Sequence, residues 1–247
     1  MSGCGDVVVL DSGSTDGTAG AARAAGARVF ERRFDNFAGQ RNFAHREIPF
    51  RHPWVFHLDA DERMTPELAA ECAEAAGRDD VDGFYAAPRM TFEGRWIPRC
   101  TDYPAWQARY ARIPAFRFIE VGHGQREAPG LRMGRLRSGY VHDLSSGGGA
   151  EWEEKHRRYA AAEAREQVAA RTHPVWRELA SADPLRRRRA LKALSYRLPC
   201  RPAIRFLYQY LLRRGFLDGG PGYRYCLLLA RYEAFTAAEM HRLRSTQ

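Results

Sequence analysis

Asp59 and Asp61 are the residues of this sequence whose type and spacing most directly suggest chemistry. They lie in Leu58-Asp59-Ala60-Asp61-Glu62, immediately after Trp54, Val55, Phe56 and His57. An apolar run rich in β-branched and aromatic residues reads as a buried strand over residues 54–58. Its C-terminal end would deliver both carboxylates to a crevice, the edge at which open α/β sheets bind ligands. A single small residue separates the two acids, so both can be held near one point. Their oxygens suit a hard cation, Mg²⁺ or Mn²⁺, that keeps open positions for substrate phosphates. The plainer reading is a solvated acidic turn between strand and helix. A second acid-bearing turn, Asp11-Ser12-Gly13-Ser14-Thr15-Asp16-Gly17-Thr18, follows the short strand Val7-Val8-Val9-Leu10. It is dense in residues that turn the chain and cap helices, but it has neither P-loop nor Gly-x-Gly-x-x-Gly spacing.

The elements that must hold these turns can be read in order. An alanine-rich helix follows Thr18 and stops at Gly26, and residues 27–31 resume as a strand, giving a βαβ unit. Its turn lies at the same sheet edge as Asp59. Phe-Ala-Gly-Gln-Arg-Asn-Phe-Ala, residues 37–44, begins a helix that leads into the Asp59 strand. Thr65-Pro66-Glu67 supplies an N-cap, a proline at the first helical position and an early acid, and Gly77 ends that helix. Residues 83–87 read as a strand. Residues 89–118 read as irregular, with Trp96, Tyr103, Trp106 and Tyr110 among arginines. That mixture fits an acceptor-binding lip or, more simply, a half-buried sheet.

From Glu151 the texture becomes helical and basic. Glu151–Lys155, Glu153–Arg157 and Glu154–Arg158 stand at i,i+4 spacing on a long helix. Arg186, Arg187, Arg188, Arg189 and Lys192 form a cationic run. Ala203, Phe206, Leu207, Tyr210 and Leu211 fall on one face of a further helix, with Arg205, Gln209 and Arg213 elsewhere around it. Residues 215–222 break it, and a last apolar helix is expected over residues 223–235. The serines and glycines of residues 145–149 divide a domain at 1–145 from a helical extension at 146–247.

The chain has 247 residues, 45% of them hydrophobic, and a net charge of +9. That length can bury a core without staples, and the charge points to an anionic partner. Five cysteines without a C-x-x-C pair suggest neither a zinc site nor a disulfide framework, and fit a reducing compartment. No apolar run approaches 18 residues, so no spanning segment is expected.

Taken in order, Val-Val-Val-Leu-Asp-Ser-Gly-Ser-Thr-Asp-Gly-Thr, Gln-Arg-Asn-Phe-Ala and Leu-Asp-Ala-Asp-Glu resemble glycosyltransferase family 2. The branch they most resemble contains the lipopolysaccharide-core glucosyltransferases and their exopolysaccharide relatives. The similarity continues through Gly122-His123-Gly124-Gln125-Arg126-Glu127 and Val141-His142-Asp143. It reaches Lys155-His156-Arg157-Arg158-Tyr159 and Gly215-Phe216-Leu217-Asp218-Gly219. The resemblance implies an α/β fold of the GT-A type, a Rossmann-like mixed sheet with flanking helices, here with a C-terminal helical extension. It also implies a nucleotide-sugar donor (a UDP-sugar), a divalent metal (Mg²⁺ or Mn²⁺) and inversion at the anomeric carbon. By motif match, Asp11 and Ser12 stand where the donor's base or ribose is met, and Arg41 where a basic residue approaches the nucleotide. Asp59 stands toward ribose and diphosphate, and Asp61 at the metal. His142 stands beside metal or phosphates, and Glu127 is the candidate base. The implied acceptor is a lipopolysaccharide-core or lipid-linked glycan. Family members normally have a further strand and helix before the strand at Val7, so an unfilled sheet neighbour and an exposed edge are expected. That departure fits either a start placed too late or a degraded paralogue.

The basic, amphipathic tail suits an anionic membrane surface, which would make the protein peripheral on the inner, cytoplasmic face of the membrane. A solvated arginine face is the alternative, and no nucleic-acid recognition module is visible. Two other functional classes compete. Leu58-Asp59-Ala60-Asp61 resembles the nucleophile and acid of haloacid-dehalogenase-like phosphatases, but Arg63 stands where those carry Thr or Val. A non-catalytic paralogue acting as a binding protein is the other.

Overall fold

The computed structural model describes residues 4–121, 124–145, 148–169, 178–183, 186–187, 190–191, 194, 198 and 200–245. Gly122, His123, Arg188, Arg189, Lys192 and the Glu151 side chain, all invoked above, lie outside what is described. In chain order the first elements are β1 (Val8–Asp11), α1 (Thr18–Ala24), β2 (Arg28–Glu31), α2 (Phe37–Glu47), β3 (Trp54–Phe56) and β4 (Glu62–Arg63). Next come α3 (Pro66–Ala75), β5 (Gly83–Ala86), β6 (Pro88–Phe92), β7 (Arg95–Trp96), β8 (Gln107–Arg112) and β9 (Phe118–Val121). Then follow β10 (Gly124–Glu127), β11 (Met133–Arg135), β12 (Tyr140–Asp143), α4 (Gly148–Ala169), α5 (Arg201–Leu207) and α6 (Gly219–Ser245). They form two compact units, Met1–Arg89 with Pro104–His142, and Met90–Tyr103 with Asp143–Gln247.

In the first unit the expected βαβ start is present. β1 and β2 pair in parallel from Val8↔Arg28 to Asp11↔Glu31, and Gly26 ends the intervening turn at φ +86°. Asn36 caps α2 by accepting from Gly39 N at 2.6 Å, and Thr65 caps α3 by accepting from Leu68 N at 3.2 Å. The main sheet runs β11-β5-β8-β3, parallel between β11 and β5 and antiparallel elsewhere. Leu68, Cys72 and Ala75 of α3 pack with Trp54, Phe84 and Tyr110. Ala38 of α2 packs with Ala111, Phe116 and Phe118. Adjacent residues of one strand thus serve different clusters, Tyr110 one and Ala111 the other, as the strand pleat requires.

Two expectations change here. Residues 89–118 are irregular only in part: they contain most of β6, all of β7 and the six-residue β8, so over those strands the sheet reading holds. Ala108, Arg109, Tyr110 and Ala111 are all buried, because β8 is covered on both faces and so shows no alternation. Conversely, β3 is shorter than the apolar run suggested: only Trp54 is buried, and Leu58 is exposed. Among the described residues β3 pairs only with β8, and β1 only with β2, so each leaves one edge unpaired.

In the second unit β6 and β7 form a hairpin, and α4 packs along α6. Phe92, Ile97, Cys100 and Cys226 form its core, with Phe206, Tyr210, Tyr225 and Leu228 against them. Buried Asp218 accepts from the backbone N–H groups of Arg99 (2.9 Å) and Cys100 (2.8 Å), and Gln209 donates to Cys100 O at 2.5 Å. On α4, Glu153 pairs with Arg157 at 2.8 Å, whereas among the described residues Glu154 and Arg158 form no ion pair. The last helix is longer than expected at both ends, running Gly219–Ser245. Pro221 falls in its first turn, where the missing N–H has no intrahelical partner to lose, and residues 236–245 contain no helix breaker. After α5 the chain makes a π-helical turn, Tyr208–Leu212. Gln209, assigned above to the polar side, is buried, while Leu207 and Leu211 are exposed.

Candidate active site

The Asp11 turn is tied to itself. Asp11 Oδ2 accepts from Gly13 N (2.9 Å) and Ser14 N (2.8 Å), and Oδ1 accepts from the Ser14 hydroxyl at 2.5 Å. The Ser14 hydrogen bonds hold the Asp11 carboxyl below the usual range. Ser12, beside it, is exposed and accepts from Gln40 Nε2 at 2.9 Å.

Gln40 opens the three-residue segment of α2 that organises this region. Each residue of Gln40-Arg41-Asn42 reaches a different element, because successive helical positions point about 100° apart. Gln40 holds the Ser12 turn. Arg41 Nη2 donates to Asp59 Oδ1 at 3.0 Å. Asn42 donates to Phe118 O at 2.8 Å and accepts from Phe118 N at 2.9 Å, fixing β9 to the helix. One turn on, His45 Nε2 lies 2.8 Å from His57 Nε2, and His45 Nδ1 lies 3.2 Å from Phe116 O. Burial lowers both imidazole pKa values, His57 well below its ordinary value, so the pair is neutral.

Asp59 and Asp61 diverge. Asp59 sits between two guanidinium groups, those of Arg41 (3.0 Å) and Arg109 (3.2 Å). Burial pushes Asp59 up, but the two arginines outweigh it and leave its carboxyl below the usual value. Arg109, 3% exposed, also donates to Glu62 Oε1 at 2.7 Å, to Gln107 Oε1 at 2.7 Å and to Tyr140 Oη at 3.1 Å. Glu62 caps the turn by accepting from Asp59 N at 2.8 Å. Its carboxyl is raised, by burial that Arg109 only partly offsets. Arg41 is lowered to about 10, by burial and by Arg109, with Asp59 opposing.

Asp61 faces His142, with Oδ2 at 3.2 Å from Nε2, while His142 Nδ1 lies 3.7 Å from Glu62. Pairing of β12 with β4 through His142↔Glu62 sets that geometry. Among the described residues no three His, Cys, Asp or Glu side chains converge as a metal cage. Asp61 and His142 nevertheless offer one oxygen and one nitrogen donor on a partly exposed edge. That donor set fits a divalent ion that takes its remaining ligands from phosphates and water.

Glu127 is mostly buried, with 16% of its side chain exposed, and accepts from Tyr85 Oη at 2.8 Å. Arg126 is 3.9 Å away, and Arg132 is paired with Asp82 instead. Gln125, two residues earlier on β10 and so on the same strand face, links that face to Arg41. Its amide nitrogen faces Phe37 O at 3.1 Å and its oxygen turns to the Arg41 guanidinium.

Sequence reasoning missed Arg109, Gln125, Tyr85 and the His45–His57 pair. The available signal for Arg109 was a lone cation between Ala108 and the Tyr110-Ala111 pair of an otherwise apolar stretch.

Residues 6–123 match the family described as glycosyl transferase family 2. A lipopolysaccharide core biosynthesis glycosyltransferase, LpsC of Rhizobium meliloti (strain 1021), is 37% identical over 92 residues. That match covers 35% of this chain and 33% of that protein. Uncharacterized glycosyltransferases of Rickettsia bellii (strain RML369-C) and Rickettsia conorii (strain ATCC VR-613 / Malish 7) are 33% and 39% identical over 81 residues. Those two matches cover 33% of this chain, and 27% and 28% of the relatives. The chain thus spans a third or less of the length of the curated relatives it matches.

Proposed function

We propose, from the match of residues 6–123 to glycosyl transferase family 2 and the GT-A fold that family implies, that the protein is an inverting glycosyltransferase. Its donor is a nucleotide-diphosphate sugar, a UDP-sugar in this reading. Its acceptor is a lipopolysaccharide-core or lipid-linked glycan met at the inner face of the cytoplasmic membrane. The observation that carries the reading is the convergence of the Ser12 turn, Asp59 and Gln125 on Gln40 and Arg41 of α2, beside the Asp61–His142 pair.

In the reaction the acceptor oxygen attacks the anomeric carbon as the bond to the diphosphate oxygen breaks on the opposite face. The acceptor proton passes to Glu127, whose carboxylate the Tyr85 hydroxyl holds in one orientation. Arg41 offers a fixed cation to the departing diphosphate, so little reorganisation is needed as charge develops there. Asp61 and His142 are the side chains that would hold Mg²⁺ or Mn²⁺, which supplies Lewis-acid stabilisation to the leaving phosphates when bound. Asp11 and Ser12 line the ribose and base end, with Asp59 between them and the diphosphate.

A second reading follows from the unpaired edges of β1 and β3: a non-catalytic protein that binds a partner or membrane without turnover. Calorimetry with uridine diphosphate and Mn²⁺ separates the two. The transferase reading expects metal-dependent binding that Asp61→Ala abolishes while the fold stays intact. Unchanged metal-dependent affinity in folded Asp61→Ala removes the metal assignment, and no nucleotide binding by the parent chain favours the second reading.

A further inference from the structure

The second unit carries an apolar surface that its own core does not use. Phe206, Gln209 and Tyr210 turn inward to the Cys100–Cys226 core. On the other side of α5 and the π-helical turn, Ile204, Leu207, Tyr208, Leu211 and Leu212 recur at i, i+3, i+4, i+7 and i+8. Each is at least 42% exposed, and Leu212 reaches 77%. Phe216 and Leu217, in the 3₁₀ turn Gly215–Asp218, extend the surface. The segment thus carries large apolar residues on both sides, and among the described residues only one side is covered. A contiguous exposed patch of this kind marks an interaction surface.

The flanking charges indicate the partner. Arg99, Arg213 and Arg214 line a cavity of about 650 Å³ together with Trp96, Tyr103 and Leu212. Arg205 lies within the stripe's own helix. Among the described residues none of these four arginines is paired with a carboxylate, although Arg213 donates to Thr101 O at 2.8 Å. A second copy of the chain docking face to face would set these cations against their own equivalents. Anionic lipid headgroups neutralise them while the acyl boundary takes the leucines, and arginine stems reach from one zone to the other.

We infer that residues 204–217 are an interfacial membrane-docking element. Their leucine stripe enters the headgroup boundary, and Arg99, Arg205, Arg213 and Arg214 contact lipid phosphates. This locates on a defined surface the membrane attachment invoked for the acceptor, and it rests on the transferase reading for that setting alone.

The test uses the full chain without nucleotide, sedimented with vesicles of phosphatidylcholine alone or mixed with phosphatidylglycerol. Binding is expected on the anionic vesicles and is weak on the neutral ones. The triple variant Leu207→Ser, Leu211→Ser, Leu212→Ser should lose about 10-fold or more in partitioning. Arg205→Glu with Arg214→Glu should lose about as much at low salt. Uridine diphosphate binding should be unchanged in the triple variant, so failure of the membrane element and failure of the transferase reading give different results. If the triple variant does not fold, Leu212→Ser alone, at the most exposed position, replaces it with a smaller loss in the same direction. Equal binding of the parent to neutral and anionic vesicles overturns the inference, as does parent-like binding by a folded serine variant. So does a parent dimer that the serine substitutions make monomeric without any effect on vesicles.

Discussion

Removing Arg109 is the sharpest test of how the candidate site is held together. Its guanidinium lies 2.7 Å from Glu62, whose side chain is 1% exposed, and at an effective dielectric of about 20 that contact alone is worth about 6 kcal/mol before desolvation. Desolvation of both ions offsets much of this, so the intact pair adds little net stability. Breaking it is different. Arg109→Met fills the volume but leaves Glu62 buried with only the Asp59 N–H and His142 nearby, and should destabilise the first unit by about 3–5 kcal/mol at neutral pH. The loss should depend on pH with a definite sign. The Glu62 pKa is already raised in the folded protein, so its contribution favours folding at low pH and fades as pH rises through the folded pKa. Without Arg109 that pKa rises further, and the deficit of the variant should be larger at pH 8 than at pH 5. Urea denaturation followed by Trp54 fluorescence reads this directly, because Trp54 is packed among Phe84 and Tyr110 in the same unit. Adding Glu62→Gln removes the stranded charge and should restore most of the loss, which a simple packing defect would not permit. A deficit below about 1 kcal/mol, independent of pH and not relieved by Glu62→Gln, would refute the reasoning.

Three other substitutions probe separate parts of the protein. Glu127→Gln should lower kcat by about 100- to 10,000-fold while sparing donor binding; near-normal turnover, or a product with the donor's anomeric configuration, removes Glu127 from the mechanism. Asn42→Ala leaves the Phe118 N–H and C=O without their side-chain partners and should cost about 1–3 kcal/mol, read as a lower urea midpoint. Gly215→Ala would place a methyl 2.7 Å from both Cys100 Sγ and Gln209 O, so thermal unfolding should show a loss of about 1–3 kcal/mol in the second unit.

What the sequence determined by itself is what depends on neighbours along the chain. Thr65-Pro66 starts α3 because a hydroxyl three residues before Leu68 N can cap it wherever the helix later packs. Gly26 closes the α1–β2 turn because φ +86° suits a residue without a side chain. The ordered motifs around Asp11, Arg41 and Asp59 were likewise legible, and residues 6–123 match the family those motifs resemble. Tertiary structure decided what depends on partners distant in sequence. Asp59 and Asp61 read as a matched pair, but Arg41 and Arg109, the latter 50 residues beyond Asp59, bond one of them. His142 on β12 meets the other at the edge. β8 hid from periodicity because two layers cover it, so it has no polar face to alternate with. On α5 the apolar pattern was visible, but the side that would be buried was not. Gln209 turns inward and Leu211 outward, and the Gln209 amide nitrogen finds the backbone carbonyl of Cys100.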